Sequence, residues 1–231
     1  NVGGDGGAIY SVGDLRMERC QVTGNTSNGQ GAGINSSGYQ LEQPRKSLTL
    51  IDSTVAQNLA NGQGGGIYNA NKTVTIIGST ISDNSASGAG GGIRNASNVG
   101  MRIVNTTIAG NDGFTGGGVY AVDGCASCEV IFENVTITQN HASNSGGGVG
   151  LFGRPATIGN SIVANNTSGS RPNCSSWGFT SMGHNVFGPL TGCDPTTGDT
   201  TGDQNNVADP QLGALALNGG LTATMAPLAT S

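Results

Sequence analysis

The side chains with the most reactive chemistry in this chain are five cysteines: Cys20, Cys125, Cys128, Cys174 and Cys193. Cys125-Ala-Ser-Cys128 has C-x-x-C spacing, which suits either a zinc site or a disulfide. A tetrahedral zinc site needs a second pair of ligands, and His141 and His184 lie too far along the chain to supply one. The reading set against zinc is a local Cys125–Cys128 disulfide with a Cys174–Cys193 bridge. An odd number of cysteines leaves at least one thiol over. Two bridges would place the chain in an oxidising compartment.

The second chemistry to consider is carboxylate work on polysaccharides. It requires clustered Asp and Glu, for calcium or for acid and base roles, often with Arg or Lys beside them. The chain has 14 acidic and 9 basic residues, scattered singly. Whether any of them meet depends on the elements that carry them.

Those elements are repeats. A glycine cluster followed by a β-branched residue recurs, as in Gly64-Gly65-Gly66-Ile67 and Gly90-Gly91-Gly92-Ile93, placing that residue at 9, 34, 67, 93, 119 and 149. A second pattern follows each cluster. With Met17, Leu50, Ile76, Ile103, Phe132 and Ile158 as zero, apolar residues recur at −2 and +5. An asparagine closes each copy at +8: Asn25, Asn58, Asn84, Asn111, Asn140 and Asn166. Alternation at −2 and 0 marks a strand with one face inward. Mostly small residues at +3 mark a bend, +5 resumes the inward face, and the glycines permit a tight corner. Each repeat is then one coil of about three short strands, stacked on the next at about 4.8 Å. Parallel strands joined by crossovers are right-handed. The expected fold is all-β: a right-handed parallel β-helix of about six coils over residues 1–168, with an irregular, disulfide-containing continuation over 169–231.

Stacking turns each offset into a vertical row. The six asparagines become a buried ladder, each amide serving backbone groups and the amides above and below. Asn105, Asn134 and Asn160, at +2, are expected to stack in the same way. Several Asn-x-Ser/Thr sequons, including those at Asn25, Asn105 and Asn134, then read as by-products of the repeat. Asp52 is the one carboxylate in the +2 row, Glu133 falls at +1, Asp83 at +7, and Asp112 and Asp123 in loops. Glu129 and Glu133 are the nearest approach to a pair, and four residues along a strand separate them by about 13 Å. No catalytic, cofactor or metal residue is assigned from this pattern. Thr54, Thr80, Thr107 and Thr136 form an outward column at +4, but its companion at +6 mixes Thr, Ala and Ser, too irregular for an ice-matching face.

Composition agrees with a narrow core. Glycine accounts for 42 of 231 residues, against about 7% on average, and aromatics are only 4%. No basic run suits a nucleic-acid backbone, and no apolar stretch is long enough for a membrane-spanning helix. Asn1 precedes Gly6 as Asn111 precedes Gly116, so the chain is expected to open inside a coil of a longer protein.

The Gly-Gly-(Gly/Ala)-Ile clusters, paired with a later Val/Ile-x-x-Asn, resemble the repeat of chlamydial polymorphic outer-membrane proteins. The C-terminal pattern is similar to the end of bacterial choice-of-anchor β-helix surface proteins. It comprises Asn173-Cys174, Thr180-Ser181-Met182-Gly183-His184-Asn185, Cys193, Asp209-Pro210-x-Leu212-Gly213-x-Leu215 and Asn218-Gly219-Gly220-x-Thr222. Together the two resemblances cover nearly the whole chain. They imply a secreted or surface-anchored bacterial β-helix. The absence of a carboxylate cluster from the repeat rows, the low surface charge and the uncapped start lead to the expectation of a structural or adhesin-like module. Its expected partners are further copies of itself, end to end or laterally in a fibre or sheath, or another surface protein or a polysaccharide. The alternative expectation is a polysaccharide-binding or polysaccharide-degrading β-helix. The insertion from Ser36 to Lys46 could then overhang a groove, and Glu133 and Asp52 are the residues to replace.

Overall fold

A computed structural model describes residues 2–38, 46–96, 100–122, 129–153, 156–176, 178–191 and 197–229. Cys125, Cys128, Cys193, Asp123, Asn1, Trp177 and most of the Ser36–Lys46 insertion lie outside them.

The described chain is a parallel β-solenoid. Its strands stack into four sheets, three of seven strands and one of eight, and every pairing between named strands is parallel. In the order the chain visits them, sheet A holds segments such as Leu59–Ala60 and Ser85–Ala86. Sheet B holds Ile67–Ala70 and Ile93–Asn95. Sheet C holds Thr73–Ile77 and Met101–Val104, and sheet D holds Thr80–Ser82 and Thr107–Ala109. The coil thus has four strands where the repeat pattern suggests three. The additional one, sheet A, lies between the ladder asparagine and the glycine cluster. Its inward residues are small (Ser27, Ala60, Ala86 and Ala142, all buried), so no large apolar residue marks it in the sequence.

The register follows the repeat offsets. Leu48 pairs with Leu15 and Val74, Val74 with Met101, and Met101 with Val130. Val55, Ile81, Ile108 and Ile137 pair in succession along sheet D. Ile76, Ile103 and Phe132 are fully buried in a single cluster that runs the length of the stack. Each coil therefore removes its aliphatic side chains from water only by lying on its neighbours.

Three corners per coil carry a residue with positive φ. The first follows sheet C at +2: Arg19, Asp52, Gly78, Asn105, Asn134 and Asn160 have φ between 47° and 60°. The second, at +7, precedes the ladder asparagine and includes Gln57, Asp83 and Asn165. The third is the first glycine of each cluster, for instance Gly64 at φ 66°. The next two glycines answer to space rather than torsion. A Cβ on Gly65 would sit 2.3 Å from the Ser85 carbonyl oxygen, and one on Gly66 would sit 2.7 Å from that of Gly92.

Two side-chain ladders join the coils. In the first, Asn84 Oδ1 accepts from the Asn58 N–H and Nδ2 at 3.1 and 2.9 Å, while Asn84 Nδ2 donates to Asn111 Oδ1 and the Val55 carbonyl, both at 2.9 Å. The same bonds run from Asn25 to Asn166, and Asn173 adds a rung at 3.1 Å. The second ladder is at +3, where the sequence shows only small residues. Ser53 Oγ accepts from the Cys20 N–H, Ser79 Oγ from that of Ser53, and Thr106 Oγ1 from that of Ser79. Val135 interrupts it, and Ser161 resumes it by accepting from the Val135 N–H at 3.0 Å. The +2 asparagines belong to neither interior ladder. Asn105, Asn134 and Asn160 are exposed, and Asn134 Nδ2 bonds Asn105 Oδ1 at the surface, so their place is owed to the left-handed backbone that Asn tolerates.

After Thr197–Asp199 the chain turns back. Antiparallel bridges Leu212–Pro227 and Ala216–Thr224 make a hairpin laid along the outside of sheet D. Asp209 accepts from Asn165, Ala223 O from Thr80 Oγ1, and Gly78 O from Thr222 Oγ1. Leu221, at the tip, shares a small cavity with Cys20, Gln21 and Asp52. This strap buries Thr80 and Thr107 and leaves Ala109, Thr138 and Ala164 almost without exposure. Of the threonine column expected to face water, Thr80 and Thr107 are covered, while Thr54 and Thr136 stay partly exposed.

Candidate functional surfaces

The charged residues singled out by the sequence stand apart. Glu133 forms an ion pair with Arg102 of the preceding coil on the outer face of sheet C. Glu129 accepts from Thr157 Oγ1 at 3.1 Å. Arg102, Glu129, Ile131, Thr73 and Thr75 line a shallow groove on this face. Asp52 and Asp83 occupy left-handed corners, and Asp112 is exposed on sheet A. His141 meets Thr167 at 2.9 Å, and His184 lies at a left-handed corner. No group of three His, Cys, Asp or Glu able to hold a metal ion occurs among the described residues.

Of the cysteines, Cys20 is a free thiol on the first coil. Cys174 is buried and continues the inward Ile/Val row of sheet B beyond Val149, its register partner. Both C-x-x-C cysteines and Cys193 fall outside the described residues.

Two carboxylates are held below their usual range by hydrogen bonds: Asp14 by the Ser47 N–H and hydroxyl, and Asp199 by Thr201. Lys72 is wholly buried, its Nζ donating to the carbonyls of Ser11 at 2.7 Å and Gly13 at 2.5 Å, which ties the third coil to the first.

The most organised outer surface is on sheet B. Its register sets Tyr10, Asn35, Tyr68, Arg94, Tyr120 and Gly150 in one outward column. The Arg94 guanidinium carbon lies 4.7 Å from the Tyr120 ring centroid, while Nε donates to Gln63 Oε1 at 2.7 Å and Nη1 to Asn95 O at 2.9 Å. Burial pulls the Arg94 pKa below its ordinary value, partly opposed by Tyr120 and Tyr68. Burial pushes the Tyr68 phenol up, with Arg94 opposing and Asp5 adding to the rise. The signal for this column was present in the repeat, because the residue after each β-branched one points outward. It goes unnoticed when the motif is read for glycines alone.

No family model, curated protein or solved structure matches the chain.

Proposed function

We propose that this chain is an extracellular or cell-surface structural module, adhesin-like in use, whose solenoid is a stiff support for what its outer walls contact. The observation that carries this reading is the asparagine ladder: one line of buried amides bonds six successive coils from Asn25 to Asn166, with Asn173 closing it. Such a column resists bending and shear between coils, as a support for adhesion must. The kinship with bacterial choice-of-anchor and polymorphic outer-membrane proteins, and a Cys174–Cys193 bridge, belong to the same proposal. So does assembly of copies end to end.

The test is display of the chain on a non-adherent bacterial cell. Attachment to surfaces or to other cells supports the reading, and its absence for a folded, displayed chain overturns it. Sedimentation across a wide concentration range tests assembly, and a constant monomer removes that part. A second reading, polysaccharide cleavage, is favoured by Arg102, which pairs with Glu133 and shares the sheet C groove with Glu129. Polysaccharide shortening by the intact protein that is lost in Glu133→Ala would replace the structural reading with the enzymatic one.

A further inference from the structure

The sheet B column alternates rings with polar fillers. Tyr10, Tyr68 and Tyr120 stand on alternate coils, and Asn35 and Arg94 occupy the coils between. We propose that this column binds a linear acidic polysaccharide lying parallel to the solenoid axis, with sugar rings stacked on Tyr10 and Tyr68 and a carboxylate facing Arg94. The inference rests on the adhesin-like reading and names its partner.

Spacing is the first argument. Coils rise by about 4.8 Å, so alternate coils are about 9.6 Å apart. An extended chain of equatorially linked pyranoses covers a comparable distance in two sugars, after which the same ring face turns to the same side. Tyr10 and Tyr68, set at that interval, meet equivalent sugar faces. Each offers an apolar ring body for the C–H face of the sugar and a hydroxyl for its rim.

Pre-organisation is the second argument. Tyr120 leans over Gly150, where a Cβ would come within 2.7 Å of Tyr120 Cδ2, and Arg94 lies across its ring. Tyr120 is thus the seat of Arg94, and a guanidinium already held in place loses little freedom on binding. Tyr10 is 57% exposed, and Phe152, at 61%, extends the apolar surface on the adjoining outward row.

Charge complementarity selects the acidic class. The ion pairs among the described residues employ Arg16, Arg19, Lys46 and Arg102, and none involves Arg94. Its hydrogen bonds go to neutral oxygens of Gln63 and Asn95. Asp5, the carboxylate whose field reaches Tyr68, is engaged by the Gln30 N–H at 2.7 Å. A partly buried guanidinium facing only neutral acceptors gains more from an ionised ligand than from a neutral one.

The experiment is native affinity electrophoresis of the intact protein in gels containing carboxymethyl cellulose or, separately, neutral hydroxyethyl cellulose, which share one equatorially linked backbone and differ in charge. Carboxymethyl cellulose is expected to retard the protein, less so as salt is added. Tyr68→Ala should weaken that retardation about tenfold, the scale of one lost aromatic contact, while Tyr68→Phe stays within a few-fold. Arg94→Gln should bring acidic and neutral polymers to equal retardation. Phe114→Ala, an exposed aromatic on sheet A, should change nothing, and melting curves establish that each variant is folded. Retardation by neither polymer, equal retardation of the intact protein by both, or full retention by folded Tyr68→Ala and Arg94→Gln would overturn the proposal. Cell attachment without carboxymethyl cellulose binding would overturn this inference alone. Carboxymethyl cellulose binding without attachment would overturn the adhesin reading and leave the site.

Discussion

The residue with most at stake in this fold is a ladder asparagine. Replacing Asn84 by alanine strips the Asn58 N–H and the Val55 carbonyl of their partners, both inside the stack. A buried polar group left unsatisfied costs about 1–3 kcal/mol, so Asn84→Ala should lower unfolding free energy by roughly 3 kcal/mol or more in urea titrations. Asn105→Ala, at an exposed left-handed corner, should cost less than half as much, and equal losses would refute the assigned roles. Acid behaviour is set elsewhere. Hydrogen bonds from Ser47 hold the Asp14 carboxyl below its ordinary value of 3.8. A depressed folded-state pKa means the contribution is complete above 3.8 and fades as pH falls through the lower, folded value. The difference in urea midpoint between intact protein and Asp14→Asn should therefore be full at pH 6 and shrink as the pH is taken below 3.8. A gap that widens on acidification would contradict this.

At the scale of the element, the glycine corner is the least replaceable piece. A Cβ on Gly65 would fall 2.3 Å from Ser85 O and 2.5 Å from Gly91 O, both backbone atoms of adjoining segments. Neither can move without parting the stack, so Gly65→Ala should yield little folded protein, judged by circular dichroism and melting. Gly13→Ala, with open space around it, should melt like the intact chain. Sheets B, C and D were legible in the sequence because their inward positions demand Ile, Val, Leu or Phe, and such residues at fixed offsets stand out against a background of Gly, Ser and Asn. Sheet A was not, since a corner this narrow admits only Ser27, Ala60, Ala86 and Ala142, which look like loop. The hydroxyl ladder was hidden because a bend and a hydrogen-bond acceptor both select Ser and Thr. The hairpin over sheet D left no periodic trace, because it crosses the coils instead of joining them. The sheet B tyrosines were visible one by one, but only the register sets them in one column.

Across the whole molecule, the strap from Val207 to Ala229 connects distant levels, from Asn165 near one end to the cavity beside Cys20 near the other. It adds no strand to any of the four sheets. A chain ending at Asn206 should keep its solenoid circular-dichroism spectrum, while amide hydrogen exchange rises along sheet D and stays unchanged in sheet B. Loss of all four sheets on truncation would instead make the strap a condition of folding. The asparagine column has one more property, its sense. Every rung donates from the lower-numbered amide to the higher, Asn25 to Asn58 and onward to Asn173, whose own Nδ2 donates to the Pro189 carbonyl. The amide dipoles consequently add instead of cancelling, partially negative towards the first coil and partially positive towards the last. The shaft is a vector, so a filament built from it head to tail would have two chemically unlike tips and could grow at different speeds from each.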